Sequence, residues 1–166
     1  MLFRSVAISV ETPRKIGQSK FIGMQGQELL STRRPVTHVP LVGDVAAGSG
    51  VLAAQNVEEV MPLPSDLTGD GELFMLRVRG DSMIEAGIFD GDFVVAKKQT
   101  TANTGELVVA GIPGEEATVK TFSKDGSDIV LTPANSTMSP MRFSAGDHPE
   151  GQVLIFGKVV TVLRKI

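Results

Sequence analysis

The chain has 166 residues, of which 42% are hydrophobic and 21% charged, and this composition excludes an intrinsically disordered protein. The length suffices for one domain with a substantial core and an arm, but not for two ordinary domains. Cysteine is absent, which excludes disulfides, thiolate zinc sites and a cysteine nucleophile, and the net charge of −3 lacks the basic excess of a nucleic-acid-binding domain.

The sequence indicates no metal, cofactor or membrane segment. His38 and His148 lie far apart, without metal-ligand spacing around them. No phosphate-binding glycine loop or dinucleotide fingerprint follows a strand. No apolar run is long enough to span a bilayer, and the N-terminus lacks a secretory apolar region. We therefore expect a cytoplasmic protein that uses neither a metal nor a cofactor.

The first 36 residues differ from the rest of the chain. Gly, Gln, Ser and Arg are interspersed there, no apolar period is sustained, and the stretch "STRRPVTHVP" brings two prolines at its end. We predict an N-terminal arm or linker over residues 1–36 and one domain over residues 37–166.

A strip of small residues follows, "LVGDVAAGSGVLAA", at 41–54. Such a strip is typical of a flexible turn. Its small side chains would also let an extended strand enter a narrow cleft, and glycine permits unusual backbone angles. If the strip is a peptidase substrate, the bond between Ala47 and Gly48 is the natural target.

The remainder consists of short apolar runs separated by Gly, Asp and Pro turns. Strands are predicted over residues 73–78, 92–98, 105–112, 116–122, 128–133 and 152–163. Helical periodicity is nearly absent, and only residues 82–89 and 55–60 could form a short helical turn. The pattern predicts a mostly β protein, a compact bent antiparallel sheet or partial barrel.

Ser82 follows the first of these strands and has two interpretations. Glu85 lies three residues later, which is the capping-box spacing, so Ser82 could cap a short helical turn. A serine at a sharp strand-to-turn junction can also present its hydroxyl as a nucleophile beside backbone N–H groups that would stabilise an oxyanion.

A serine nucleophile needs a base, and Lys120 is the candidate because neither histidine has a suitable context. In the strand at 116–122, alternation places Lys120 on one face with Thr118 and Phe122. Burial there would lower the lysine pKa and let the neutral amine accept the serine proton. The alternative is an edge lysine whose stem covers apolar neighbours while its amine stays in water.

Five segments together resemble the self-cleaving serine peptidase half of the LexA/UmuD family. They read "VPLVGDVAAGSG", "LFMLRVRGDSMIEAGIFDGDFVV", "GEEATVKTF", "LTPANSTMSPM" and "GKVVTVLRKI", and they keep their order and spacing from about Thr37 to Ile166. The last of them is most similar to actinobacterial LexA repressors. The resemblance implies a mostly β peptidase domain that acts in the SOS response to DNA damage.

The resemblance also implies roles for particular residues. Ser82 would be the nucleophile, Lys120 the general base, and the backbone amides of Asp81 and Ser82 the oxyanion donors, while the bond cut would join Ala47 to Gly48. A RecA filament on single-stranded DNA would stimulate this self-cleavage. The chain would form a homodimer through its last strand, Val159, Val160, Thr161, Val162 and Leu163. An apolar terminal strand is hazardous as an exposed edge, which agrees with such pairing.

The N-terminus departs from the pattern of complete repressors, which carry a winged helix-turn-helix domain. Residues 1–36 are too few for that domain and lack its periodicity, so we expect operator DNA to be bound only through a DNA-binding domain missing from this chain. A UmuD-like accessory subunit of an error-prone polymerase, activated when its arm is cut, remains the main alternative. A type I signal peptidase would need a membrane anchor, and a β domain without activity would leave Ser82 as a cap and Lys120 at an edge.

Overall fold

A computed structural model describes residues 35–43, 52–144 and 152–166. All of them belong to one structural unit, Pro35–Ile166. The predicted arm, except for its last two residues, and the predicted cleavage bond between Ala47 and Gly48 therefore lie outside the described residues. Among those described, no helix is long and apolar enough to cross a membrane.

The described elements are nine strands and three short helical turns. The strands are β1 (Val36–Val42), β2 (Val57–Pro64), β3 (Leu73–Arg77), β4 (Phe93–Lys98), β5 (Leu107–Gly111), β6 (Thr118–Asp125), β7 (Asp128–Thr132), β8 (Met141–Phe143) and β9 (Leu154–Leu163). The helical turns are a 3-10 turn at Ala54–Asn56, the helix α1 at Ser65–Thr68 and a 3-10 turn at Ile84–Ala86.

The strands form one sheet in the order β2-β1-β3-β4-β9-β5-β6-β7-β8. All described neighbours pair antiparallel except β1 and β3, which run parallel. The predicted mostly β class is confirmed, and the sheet is mixed rather than purely antiparallel. It is open, because β2 and β8 stand at its two ends without pairing to each other within the described residues.

All six predicted strands are present, and the sequence interpretation missed three others. Strands β1 and β2 contain prolines at Pro40, Pro62 and Pro64, which mask a strand signal but are tolerated beside a sheet edge. The helical turn predicted for residues 55–60 is wrong beyond residue 56, because β2 begins at Val57. Strand β8 has only three residues, too few to show alternation.

The core lies on both faces of the central strands, where apolar side chains are buried without interruption. Phe74, Val94 and Val109 are fully buried in one cluster, to which Met83 from the turn after β3 also belongs. Continuous burial of this kind explains why these strands read as apolar runs rather than as alternating patterns. Met83, the residue after Ser82, thereby anchors the turn that carries the serine to the core.

Gly157 in β9 has almost no room for a side chain. A Cβ atom added there would lie 2.6 Å from the backbone oxygen of Lys97 and 2.8 Å from Cε1 of Phe74. The glycine is therefore required by close packing against β4 rather than by an unusual backbone angle.

The C-terminal strand β9 is not an edge strand over its whole length. It lies between β4 and β5, pairing with β4 from Gly157 to Leu163 but with β5 only from Leu154 to Lys158. From Val159 onward the side of β9 that faces away from β4 has no strand partner among the described residues. The predicted exposed edge is thus confined to the second half of the strand.

Candidate active site

Ser82 lies in the turn between β3 and the 3-10 turn at Ile84–Ala86. Gly80, two residues before it, has a φ of 83°, and its N–H donates to the Asp90 carboxylate over 2.8 Å. The left-handed angle favours glycine and bends the chain sharply after β3. Met83 is only 2% exposed, so the turn is held at both sides of Ser82.

The capping-box interpretation of Ser82 is wrong. The 3-10 turn begins after Met83, and no side-chain hydrogen bond caps it. Glu85 instead accepts a hydrogen bond from the backbone N–H of Ser136 over 2.7 Å, which lowers the pKa of its carboxyl group. The Ser82 hydroxyl does not cap the turn and instead contacts a side chain from another strand.

That side chain is Lys120 of β6, which is 7% exposed. Its Nζ lies 2.9 Å from Oγ of Ser82, 2.6 Å from Oγ1 of Thr118 and 3.0 Å from the carbonyl oxygen of Val119. Strand alternation predicted the shared face with Thr118. The alternative, a lysine whose amine stays in water, is contradicted by this burial.

Burial shifts the protonation equilibrium of Lys120 toward the neutral amine. Burial lowers the pKa of the Lys120 amine, and the Glu115 carboxylate opposes this effect by favouring the charged form. The three groups that accept its hydrogen bonds are two hydroxyls and one carbonyl, so they supply no formal negative charge. Such an amine can exchange a proton with the adjacent serine at a lower pH than an exposed lysine could.

The loop between β7 and β8 holds the turn that carries Ser82 through two hydrogen bonds. Nδ2 of Asn135, a residue 5% exposed, donates to the carbonyl oxygen of Asp81 over 3.1 Å. The backbone N–H of Glu85 donates to the carbonyl oxygen of Ala134 over 2.8 Å. The sequence interpretation assigned no role to Asn135 or Glu85 in this contact, although "LTPANSTMSPM" was part of the resemblance.

A cleft of about 170 Å³ opens beside Ser82. It is lined by Val42, Gly43, Glu58, Leu76, Arg77, Val78, Arg79, Ser82, Met83, Val94, Glu116, Ala117, Thr118 and Val119. The chain enters the undescribed residues 44–51 from Gly43, a lining residue, and Leu52 at their other end packs against the core cluster that contains Met83. Gly43, the described residue before this segment, therefore lies at the cleft.

An ion pair joins the end of the chain to the region after Ser82. Arg164 donates from Nε and Nη2 to the two carboxylate oxygens of Asp92, over 2.6 Å and 2.7 Å, and from Nη2 to the carbonyl oxygen of Gly87 over 2.9 Å. Asp92 is 1% exposed, and the Arg164 guanidinium lowers the pKa of its carboxyl group to about 2.

No group of three or more potential metal-ligating side chains occurs in the described ranges.

Comparison with known proteins agrees with this geometry. Residues 40–160 match the family described as Peptidase S24-like. The chain is 52% identical over 128 residues to a LexA repressor of Corynebacterium efficiens, covering 77% of this chain and 52% of the relative. For a LexA repressor of Thermobifida fusca the identity is 44% over 165 residues, covering 98% of this chain and 60% of the relative.

A third relative, a LexA repressor of Bifidobacterium adolescentis, is 55% identical over 128 residues, which cover 77% of this chain and 47% of that protein. The chain thus spans about half the length of the curated relatives it matches. The family match includes the turn that carries Ser82, the strand β6 that carries Lys120, the loop between β7 and β8 that contacts the serine turn, and most of β9. The chain belongs to the Peptidase S24-like family.

Proposed function

We propose that this chain is the serine peptidase part of a LexA-type repressor, and that it cuts its own Ala47–Gly48 bond with Ser82 as nucleophile and Lys120 as general base. The observation that carries the proposal is the 2.9 Å contact between Nζ of a buried lysine and Oγ of Ser82. Membership of a peptidase family supports the reaction class.

The first half of the reaction forms an ester. Neutral Lys120 accepts the proton of the Ser82 hydroxyl while Oγ attacks the carbonyl carbon of Ala47. The backbone amides of Asp81 and Ser82 donate to the oxyanion. When the bond to Gly48 breaks, the lysine ammonium returns the proton to the leaving nitrogen.

Water completes the reaction. Lys120, neutral again, takes a proton from a water molecule that attacks the ester carbon, and the serine oxygen leaves with that proton. The products are a carboxylate at Ala47 and an amine at Gly48. Segment 44–51 is joined to Gly43, a residue that lines the cleft, so the reaction would be intramolecular, and the resulting high effective concentration would replace substrate binding.

The regulatory setting is proposed from the named relatives and from the sequence resemblance. Their descriptions as LexA repressors support a repressor. The sequence resemblance adds the rest of the proposed setting: a cytoplasmic homodimer in the SOS response whose cleavage is stimulated by the RecA filament on single-stranded DNA. A filament can stimulate only if it binds the cleavable arrangement of the segment more tightly than the other arrangements. The open side of β9 supports the dimer, in which two copies of the stretch Val159–Leu163 would pair, because this stretch has β4 but no second strand partner among the described residues.

The test is the intact mass of the purified 166-residue chain after incubation from pH 7 to about 10. We expect two fragments that meet between Ala47 and Gly48, with a rate that rises about tenfold per pH unit below the lysine pKa and then levels off. Ser82→Ala should abolish cleavage. Lys120→Arg should do the same throughout this range, because a guanidinium stays protonated.

Cleavage by Ser82→Ala, or an uncleaved wild-type chain even with RecA filaments, would refute the peptidase proposal. The accessory-subunit alternative is tested separately, by asking whether the cleaved chain retains an error-prone polymerase in a pull-down. Retention would assign it the UmuD-like role, whereas the relatives' names favour a repressor.

A further inference from the structure

We propose that Asn135 is a positioning residue that aims the Ser82 backbone N–H into the cleft as an oxyanion donor. This inference rests on the proposed peptidase function. It says in addition that the orientation of the Ser82 N–H depends on Asn135. Asn135 lies in the loop after β7, and its side chain reaches the turn that carries the serine.

The orientation of the Asn135 amide is determined by its partners. Its Oδ1 accepts the backbone N–H of Thr137 over 3.0 Å and the Thr137 hydroxyl over 2.7 Å. A backbone N–H can only donate, so Oδ1 must face Thr137 and Nδ2 must face the Asp81 carbonyl. The residue is 5% exposed, so water does not readily compete for these bonds.

The Asp81 carbonyl belongs to the same peptide unit as the Ser82 N–H. A trans peptide is planar, and its C=O and N–H bonds point in opposite directions. Fixing the carbonyl oxygen toward Asn135 therefore fixes the Ser82 N–H on the opposite side. The only other described donor to this oxygen is the Ile84 N–H, at the longer distance of 3.3 Å.

The Ser82 amide itself is available. Within residues 35–43, 52–144 and 152–166, neither the Asp81 nor the Ser82 N–H donates a hydrogen bond to another described group. Ser82 lines the cleft, so an N–H group that points into the cleft could donate to the carbonyl oxygen of a bound substrate. An oxyanion donor works only when its direction is set before the reaction, which is what a buried side-chain contact provides.

The test compares Asn135→Asp with Glu85→Ala in the full chain. Asn135→Asp keeps the size of the side chain and the acceptor for Thr137 but replaces the donor to Asp81 by an oxygen. Glu85→Ala removes the neighbouring bond to Ser136 without touching the Asp81 carbonyl. We expect the plateau rate of self-cleavage to fall about 10- to 100-fold in Asn135→Asp and less than about threefold in Glu85→Ala.

Two further readouts separate positioning from general loosening of the loop. The pH at which the rate levels off should stay unchanged in Thr137→Val, because this change adds no charge and leaves Lys120 and its three acceptors untouched. The ¹⁵N shift of the Ser82 amide should change in Asn135→Asp but not in Glu85→Ala, because it responds to the bond accepted by the preceding carbonyl. If Asn135→Asp does not fold, Thr137→Val, which removes one donor to Oδ1, should lower the plateau several-fold and shift the same amide.

The proposal is overturned if Asn135→Asp folds and cleaves like the wild type, or if Glu85→Ala loses as much activity. It is also overturned if Thr137→Val keeps the wild-type plateau rate and an unshifted Ser82 amide, or if the pH at which its rate levels off differs from that of the wild type. If Ser82→Ala cleaves as well, the peptidase proposal itself has failed. A dead Ser82→Ala beside a fully active Asn135→Asp refutes only the positioning role.

Discussion

Replacing Gly157 by alanine should destabilise the sheet at its centre. The added Cβ would lie 2.6 Å from the Lys97 carbonyl oxygen and 2.8 Å and 3.0 Å from Cε1 and Cζ of Phe74. The carbonyl belongs to β4, which pairs with β9 on either side of this point, so it cannot withdraw without lengthening hydrogen bonds. Phe74 is fully buried and has little space into which its ring can move.

The size of the effect follows from these contacts. Overpacking a dense core costs about 1–3 kcal/mol, and the backbone contact places this substitution in the upper part of that range, at about 2–3 kcal/mol. For a chain of this size, about 1 kcal/mol lowers Tm by roughly 2–4 °C, so Tm should fall by about 4–12 °C. Calorimetry and urea denaturation at pH 7 measure both quantities in a Ser82→Ala background, which removes the proposed nucleophile.

A double-mutant cycle identifies the cause. Phe74→Leu removes the two ring atoms that meet the new Cβ, so it should cost less stability in Gly157→Ala than in the parent chain. Gly126→Ala is the matched control, since a Cβ there has nothing within 4 Å and any cost arises from its φ of 63°. The packing argument would be refuted if Gly157→Ala melted within about 1 °C of the parent chain. It would also be refuted if Phe74→Leu showed the same coupling energy with Gly157→Ala as with Gly126→Ala.

Two further outcomes test the C-terminal region. Arg164→Gln should lower the urea midpoint at pH 7, because the buried Asp92 carboxylate loses the guanidinium that holds its pKa at about 2, below the ordinary 3.8. The stability from this depressed pKa is present above pH 3.8 and is lost as pH falls toward 2, so the deficit should shrink over that interval, and a constant deficit would contradict the assignment. Val162→Glu changes a position that is 38% exposed on the part of β9 that pairs with β4 alone among the described strands. It should raise the Kd of the proposed dimer about tenfold or more in sedimentation, whereas Val36→Glu on β1, at 53% exposure, should not.

The sequence predicted those parts of the fold that depend on local pattern. The six apolar runs became strands, and alternation placed Lys120 beside Thr118, because side-chain direction in a strand repeats every two residues. The position of β9 between β4 and β5 was not predictable in this way. Strand neighbours are chosen by long-range packing, and a terminal apolar run carries no local mark of being central.

The same distinction separates the parts of the candidate site. Ser82 and Lys120 stood out because a nucleophile and a base have few possible residue types in a chain with two histidines and no cysteine. Asn135 did not, because its partner Asp81 is 54 residues away and an asparagine two residues after a proline is typical of any turn. The capping-box prediction failed for a related reason, since Glu85 found its partner at Ser136, across the fold.

The burial of Lys120 links the chemistry of the site to the proton balance of folding. In the unfolded chain this amine has the ordinary lysine pKa of 10.5, and in the folded chain burial lowers it. Between the two values the unfolded chain binds more protons, so stability rises with pH across that interval, and at lower pH the folded state carries the full cost of a desolvated charge. The buried lysine thus makes the fold less stable than it would be with an apolar side chain at this position, and part of the stability of the sheet offsets that cost.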